Sequence, residues 1–181
     1  MLFNQNAFNQ FILDNNVLGF YNQPLTMNSG RISPWYFNWR DVTKDVYLLD
    51  KLSNFILAFI HDYNLNPLSI YGVPEGGTKI GIITQYKWAT RSPNFQKHSH
   101  PLPMGRGKEK NHGDPKDKHF LQQPVGPTMV IEDTVTTGTS LLKSLDLLFT
   151  LSVPIVAVIV LSDRNEKRDD GQTVSEAVRS R

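Results

Sequence analysis

An α/β fold built on a mainly parallel central sheet is what this sequence predicts, and three observations predict it. Residues 45–63 repeat apolar side chains every three or four positions (Val46, Leu49, Leu52, Phe55, Ile56, Phe59, Ile60), the spacing of one buried helix face. Residues 68–73 and 155–161 are short, nearly continuous apolar runs, as strands covered on both faces require. Residues 128–151 read strand, turn, helix in direct succession. Strands alternating with helices form parallel pairs joined by crossovers. Such sheets place ligands beyond the C-terminal ends of their strands.

The elements follow in order. Residues 3–20 carry Phe3, Phe8, Phe11, Ile12, Val17 and Leu18 at roughly helical spacing, a first helix. Residues 35–39 are aromatic-rich and read as a strand. After the 45–63 helix comes the 68–73 strand, which ends in a Gly-rich turn over 72–77, and a helical pattern runs from Lys79 to about Ala89. Residues 91–127 are polar and carry His98, His100, Arg106, Lys108, Lys110, His112, Lys116, Lys118 and His119. An unstructured connection of that length inside a compact fold is usually functional or disordered. Then come a strand over 128–132, a turn over 133–139, a helix over 140–151, and a strand over 155–161 running into Ser162-Asp163-Arg164. Thr173 and Glu176 have capping-box spacing, so another helix starts nearby.

Composition narrows the function classes. The chain has 181 residues, a length that fits one domain with a real core. It has no Cys, which excludes disulfide scaffolds, thiol nucleophiles and cysteine-ligated metal sites and suits a reducing compartment. Lys and Arg number 19 against 17 acidic residues, a balance that gives no reason to expect nucleic-acid binding. The longest apolar stretch, 151–161, is broken by Ser152 and Pro154 and falls short of the ~20 residues of a membrane-spanning helix. The N-terminus lacks a basic start and a small-residue cleavage site, so the expectation is a soluble, cytoplasmic protein with no membrane partner.

The segment that carries chemistry is MVIEDTVTTGTS, residues 129–140. A hydrophobic strand delivers two adjacent carboxylates, Glu132 and Asp133, and a loop of hydroxyl residues with one Gly opens a helix. Free amides and the positive end of the helix dipole make an anion cradle. Thr136, Thr137, Thr139 and Ser140 add hydroxyl donors, and Gly138 lets the backbone come close to a phosphate. Carboxylates beside a phosphate cradle suit a sugar phosphate, whose hydroxyls they can accept. The plainer reading is an acidic strand end with an ordinary capped helix. A Walker A loop is absent. His98 and His100 lack a third ligand nearby for zinc, and Ser29 with His112 makes no hydrolase case without a GxSxG elbow.

VIEDTVTTGTS closely resembles the phosphoribosyl-pyrophosphate (PRPP) motif of the type I phosphoribosyltransferases. Three further segments resemble the orotate-specific branch of that family, in the family's order. These are SGRISPWYFN (29–38), its N-terminal pyrimidine-pocket signature; GRGKEKNHGD (105–114), its catalytic loop; and SDRNE (162–166), its DRQE segment. The resemblance implies a type I phosphoribosyltransferase fold over 1–181, with N-terminal hood elements in 1–40 and a long mobile loop region in 91–127. It also implies transfer of ribose 5-phosphate from PRPP to orotate, with release of pyrophosphate. Glu132, Asp133, Thr134, Thr136, Thr137, Gly138, Thr139 and Ser140 would then hold PRPP, with Gly76, Gly77 and Lys79 at its pyrophosphate. Arg106, Lys108, Lys110 and His112 would act with Asp133 in catalysis, and Arg164, Tyr36, Phe37 and Thr137 would meet orotate. Mg2+ is the implied cofactor, carried by PRPP and not by a protein side-chain cluster. A homodimer is implied, each loop completing the neighbouring site.

The pattern departs from the family at Asn28, where a Lys is usual, at Glu75 in GVPEGGTK, where AYKG is usual, and at Asn111, where an Asp is usual. The family also continues with a further strand and helix, so one sheet edge is expected to be exposed or covered by the N-terminal helix. Two other readings stay open: a type I enzyme with a different base, and a non-catalytic PRPP-binding regulator. The retained Arg106, Lys110 and His112 favour an enzyme.

Overall fold

The structure, a computed structural model, describes residues 2–27, 30–110, 112 and 118–181. Asn28, Ser29, Asn111, Gly113, Asp114 and Lys116 lie outside the described residues.

The chain opens with α1 (Gln5–Asp14), whose N-cap Asn4 accepts from the Ala7 amide. A helix reaching residue 20 was expected; it ends at Asp14 because Asn16 takes a left-handed φ of 51°. The chain turns there into β1 (Leu18–Thr26), which pairs antiparallel with β2 (Ile32–Phe37). β1 gave little strand signal because most of its side chains are exposed, so neither face shows an apolar alternation. Trp39, expected in the strand, instead begins α2 (Arg40–Thr43). α3 (Val46–Asp62) matches the periodic helix closely, with Asp45 capping the Leu48 amide.

The central sheet is parallel. Among the described residues it has the order β3 (Ser69–Gly72), β6 (Thr128–Val135), β7 (Ile155–Asp163). α4 (Gly76–Thr90) and α5 (Thr139–Thr150) follow β3 and β6. Between α4 and β6, the long polar connection is not structureless: β4 (Met104–Gly105) and β5 (Phe120–Gln122) pair as a short antiparallel ribbon. α6 (Val174–Arg179) closes the chain with the expected Thr173–Glu176 capping box.

Two apolar clusters cover the two sheet faces. One joins α1, α3 and α4 through Phe8, Phe11, Trp39, Leu52, Ile56 and Ile80 to Ile70, Met129 and Ile131. The other joins α5 and α6 through Leu141, Leu145, Leu148 and Val174 to Tyr71, Val73 and Val130. Alternation along β6 explains the division: Met129 and Ile131 face one layer, Val130 the other. α1 packs by Phe8 on Phe55 and on Trp39. No helix of the described residues is long and apolar enough to cross a membrane.

Candidate functional site

The turn after β3, the end of β6 and the loop after β7 meet where the parallel strands end. β6 runs three residues further than the sequence suggested, so Asp133, Thr134 and Val135 are strand residues and not turn residues. Pairing of Thr134 with Ser162 and of Val135 with Asp163 on β7 keeps them extended. Adjacent strand residues point to opposite faces, and the two acids accordingly differ. Glu132 is 5% exposed. Burial, then the hydrogen bond and charge of the Asp133 carboxyl, push its acid up to about 9. Near neutral pH, Glu132 therefore keeps its proton.

Asp133 faces the N-terminus of α4. A Cβ at Gly76 would stand 2.1 Å from Asp133 Oδ2, and one at Gly77 would stand 2.6 Å from the Ile131 carbonyl. These two positions serve close approach. The turn also holds a cis peptide bond, between Pro74 and Glu75. Lys79 turns its Nζ to the Thr43 carbonyl of α2, 3.3 Å away.

Beyond β6, Gly138 takes a φ of +70° and starts α5 without a side-chain cap. The amides of Thr137, Gly138, Thr139 and Ser140 donate to no protein group among the described residues. Thr137 and Thr139 share a hydroxyl contact of 3.1 Å at the mouth of the loop. Orphan donors at a helix start, with no acid in its first turn, form a cradle for an anion.

The third wall comes from the hood. Arg164 is buried, and its guanidinium stacks on the Trp35 ring at 3.7 Å. It donates to Glu166 (2.7 Å), the Trp35 carbonyl (3.0 Å) and Ser33 Oγ (2.8 Å). Arg31 adds a bond to Glu166 at 2.8 Å. Burial raises the Glu166 acid, but the hydrogen bonds from Arg31 and Arg164 outweigh it and hold it below the usual range. Of the aromatic pair assigned to a base, Phe37 packs into the core beneath the hood, edge-on to Trp35 at 5.6 Å. Tyr36 is half-buried on the other side of β2. Trp35, Ser33, Arg31 and Glu166 lie in the quoted 29–38 and 162–166 segments but received no individual role from sequence; the Arg164–Trp35 and Arg31–Glu166 contacts join residues more than a hundred positions apart.

The arm over 101–122 is rooted beside the same turn. A Cβ at Gly105 would meet the Tyr71 hydroxyl and Pro74, and one at Gly107 would meet the Glu75 carboxylate. Gln85, buried on α4, donates to the Pro101 carbonyl at 2.6 Å and fixes the start of the arm. Arg106 pairs its amide with the His119 carbonyl (2.8 Å) and its Nε with that of Phe120 (3.3 Å). Lys110 pairs its amide with Lys118 (2.9 Å). The side chains of Lys108 and His112 are exposed. Among the described residues, no cluster of three or more His, Asp or Glu could hold a metal by itself. Asp133 beside an anion cradle fits instead a hard cation that arrives with phosphate oxygens and keeps its waters.

No family model matches the chain. It is 29% identical over 164 residues to an orotate phosphoribosyltransferase of Marinobacter nauticus, covering 90% of this chain and 73% of the relative. It is 28% identical over 166 residues to the orotate phosphoribosyltransferase of Yersinia enterocolitica, with 90% and 73% covered. The fold is similar to that of orotate phosphoribosyltransferase from Francisella tularensis, with a TM-score of 0.69, 22% identity, and 96% and 80% of the two chains covered. It is also similar to adenine phosphoribosyltransferase from Leishmania donovani, with a TM-score of 0.55, 16% identity, and 90% and 70% covered.

Proposed function

We propose that this chain, which has the type I phosphoribosyltransferase fold, is an orotate phosphoribosyltransferase that transfers the ribose 5-phosphate of PRPP to orotate and releases pyrophosphate. One observation carries the reading: Asp133, at the end of β6, lies against the glycine turn at Gly76–Gly77, and the uncapped amides of Thr137–Ser140 follow it in the same strand-end loop. An acid with a glycine turn on one side and an anion cradle after it suits a furanose between a diphosphate and a terminal phosphate.

In this reading the loop amides and the hydroxyls of Thr136, Thr137, Thr139 and Ser140 hold the 5-phosphate. Asp133 accepts from the ribose hydroxyls, and Thr134 keeps the strand end in place through Ser162, 3.0 Å away. Glu132, held protonated by burial and by Asp133, is the hydrogen-bond donor of the two acids. The transition state is oxocarbenium-like, with negative charge growing on the leaving diphosphate, so cations aimed there lower the barrier. Arg106, Lys108, Lys110 and His112 supply them from the arm. The exposure of Lys108 and His112 supports an arm that completes the crevice of a second copy, hence a homodimer. Mg2+, held by Asp133 together with the diphosphate, would neutralise part of that charge. The arm also excludes water, which would otherwise hydrolyse PRPP. Arg164 with its stacked Trp35, and Thr137, line the place of the base, while Tyr36 lies on the opposite face of β2 from that wall. The reaction needs only small soluble reactants, which agrees with a cytoplasmic location and calls for no nucleic acid or membrane partner.

The test is a spectrophotometric assay of orotate consumption with PRPP and Mg2+. Turnover with orotate, and none with uracil, hypoxanthine or adenine, is expected. Turnover with a different base would move the chain to another branch of the fold, and tight PRPP binding without turnover would make it a regulator.

A further inference from the structure

The segment after Glu166 has no role in the reading above, yet it lies against the phosphate cradle. Arg168 Nη1 donates to the Thr137 carbonyl at 2.7 Å. The residue is locked by its own turn: its amide donates to the Gln172 carbonyl (2.9 Å), and the Gly171 amide donates to its carbonyl (3.0 Å). Its Nε pairs with Asp170 at 3.2 Å, and Asp170 also accepts from the Gln172 amide at 3.0 Å. Six residues after Arg168, Val174 presses on Gly138 so closely that a Cβ at Gly138 would meet its Cγ1 at 2.7 Å. The 168–174 segment is therefore the outer wall of the loop.

We infer that Arg168 is a positioning residue for phosphate: by holding the Thr137 carbonyl outward it turns the Gly138 N–H into the crevice and polarises it. The peptide between Thr137 and Gly138 is not among the cis bonds, and in a trans peptide the carbonyl and the next N–H point in opposite directions. A carbonyl drawn outward onto a guanidinium thus commits the following N–H to the inner side. The bond is charge-assisted and strengthens the dipole of the peptide it engages. That Gly138 amide is one of the four orphan donors of the cradle. The side chain is 23% exposed and paired with Asp170, so the guanidinium is held in a fixed position behind the loop without itself contacting the ligand. The ligand class is a phosphomonoester, and the inference rests on the reading of residues 136–140 as a phosphate cradle.

The test titrates ribose 5-phosphate and PRPP into the wild type, Arg168→Met and Arg168→Lys by calorimetry, with steady-state kinetics alongside. Arg168→Met is expected to weaken both ligands by about tenfold. The KM for orotate and kcat at saturating PRPP should stay within about twofold, a split that a general loss of structure would not give. Arg168→Lys should regain at least half of the lost affinity, and in both variants the Gly138 amide resonance should shift upfield while those of Gly76 and Gly77 stay. Unchanged ribose 5-phosphate affinity in Arg168→Met, or an unmoved Gly138 resonance, overturns the inference. A wild type that binds neither ligand overturns the cradle itself, which is a separate result.

Discussion

Gly76 lies so close to Asp133 that a methyl group on its Cα would stand 2.1 Å from Oδ2 and 2.4 Å from the carboxyl carbon. The carboxylate thus occupies the space that any side chain at residue 76 would need. Gly76→Ala should fold, because the residue begins α4 at its half-buried N-terminus, but Asp133 must rotate away. The expected result is a loss of ~10-fold or more in kcat/KM for PRPP, with orotate affinity little changed. Kinetics that match the wild type would remove Asp133 from the ribose site.

Glu132 gives a pH signature. Its acid sits near 9 when folded and near the ordinary carboxylate value when unfolded. Between those values the folded state holds a proton that the unfolded state has released. Stability from this group is therefore full below about pH 4.5 and falls as pH rises towards 9. Glu132→Gln keeps the neutral form at every pH. Urea melts at pH 5, 7 and 9 should show the wild type losing stability across the series more steeply than Glu132→Gln. Parallel slopes would mean that Glu132 is ionised in the fold.

Arg164 combines three hydrogen bonds with the face of Trp35, a geometry that a lysine cannot copy. Arg164→Lys removes the guanidinium bonds to Ser33 Oγ and the Trp35 carbonyl, which keep only the bond of 2.7 Å that Ser33 Oγ donates to that carbonyl and the one of 3.3 Å from the Trp35 amide. We expect a stability loss of about 1–3 kcal/mol by chemical melt, since hydrogen bonds from a charged group are lost in a buried setting. The KM for orotate should rise while PRPP affinity holds. A rise in the KM for PRPP alone would place the base elsewhere.

Ser162 ties the hood to the strand ends. It accepts from Trp39 Nε1 at 2.8 Å, meets Thr134 Oγ1 at 3.0 Å and donates to the Asp133 carbonyl at 3.1 Å. Ser162→Ala strands the buried indole N–H, so a loss of roughly 1–2 kcal/mol is expected. Turnover should fall with it, because the backbone that carries Asp133 loses an anchor. A variant as stable as the wild type would show that the network contributes little.

Where local periodicity and tertiary need agree, the sequence was enough. α3, β3, α4, α5 and β7 could be read because their apolar spacing is set by the layer they cover, and the start of α5 could be read because Thr, Gly and Ser after an acidic strand is a local pattern. β1 could not, since its exposed side chains carry no alternation. The β4–β5 ribbon is two and three residues long and is held by partners across the arm, not by its own pattern. The end of β6 was placed too early because Asp133 and Thr134 look like turn residues; pairing with β7 overrides that preference. The Arg31–Glu166 and Arg164–Trp35 contacts join distant segments, so no window of sequence contained them.

The account turns on where a phosphate sits, and a crystal structure with ribose 5-phosphate reads that directly. Phosphate oxygens are expected within hydrogen-bond distance of the amides of Gly138, Thr139 and Ser140, with the ribose hydroxyls on Asp133. Phosphate bound away from that loop, or ribose hydroxyls without contact to Asp133, would contradict it.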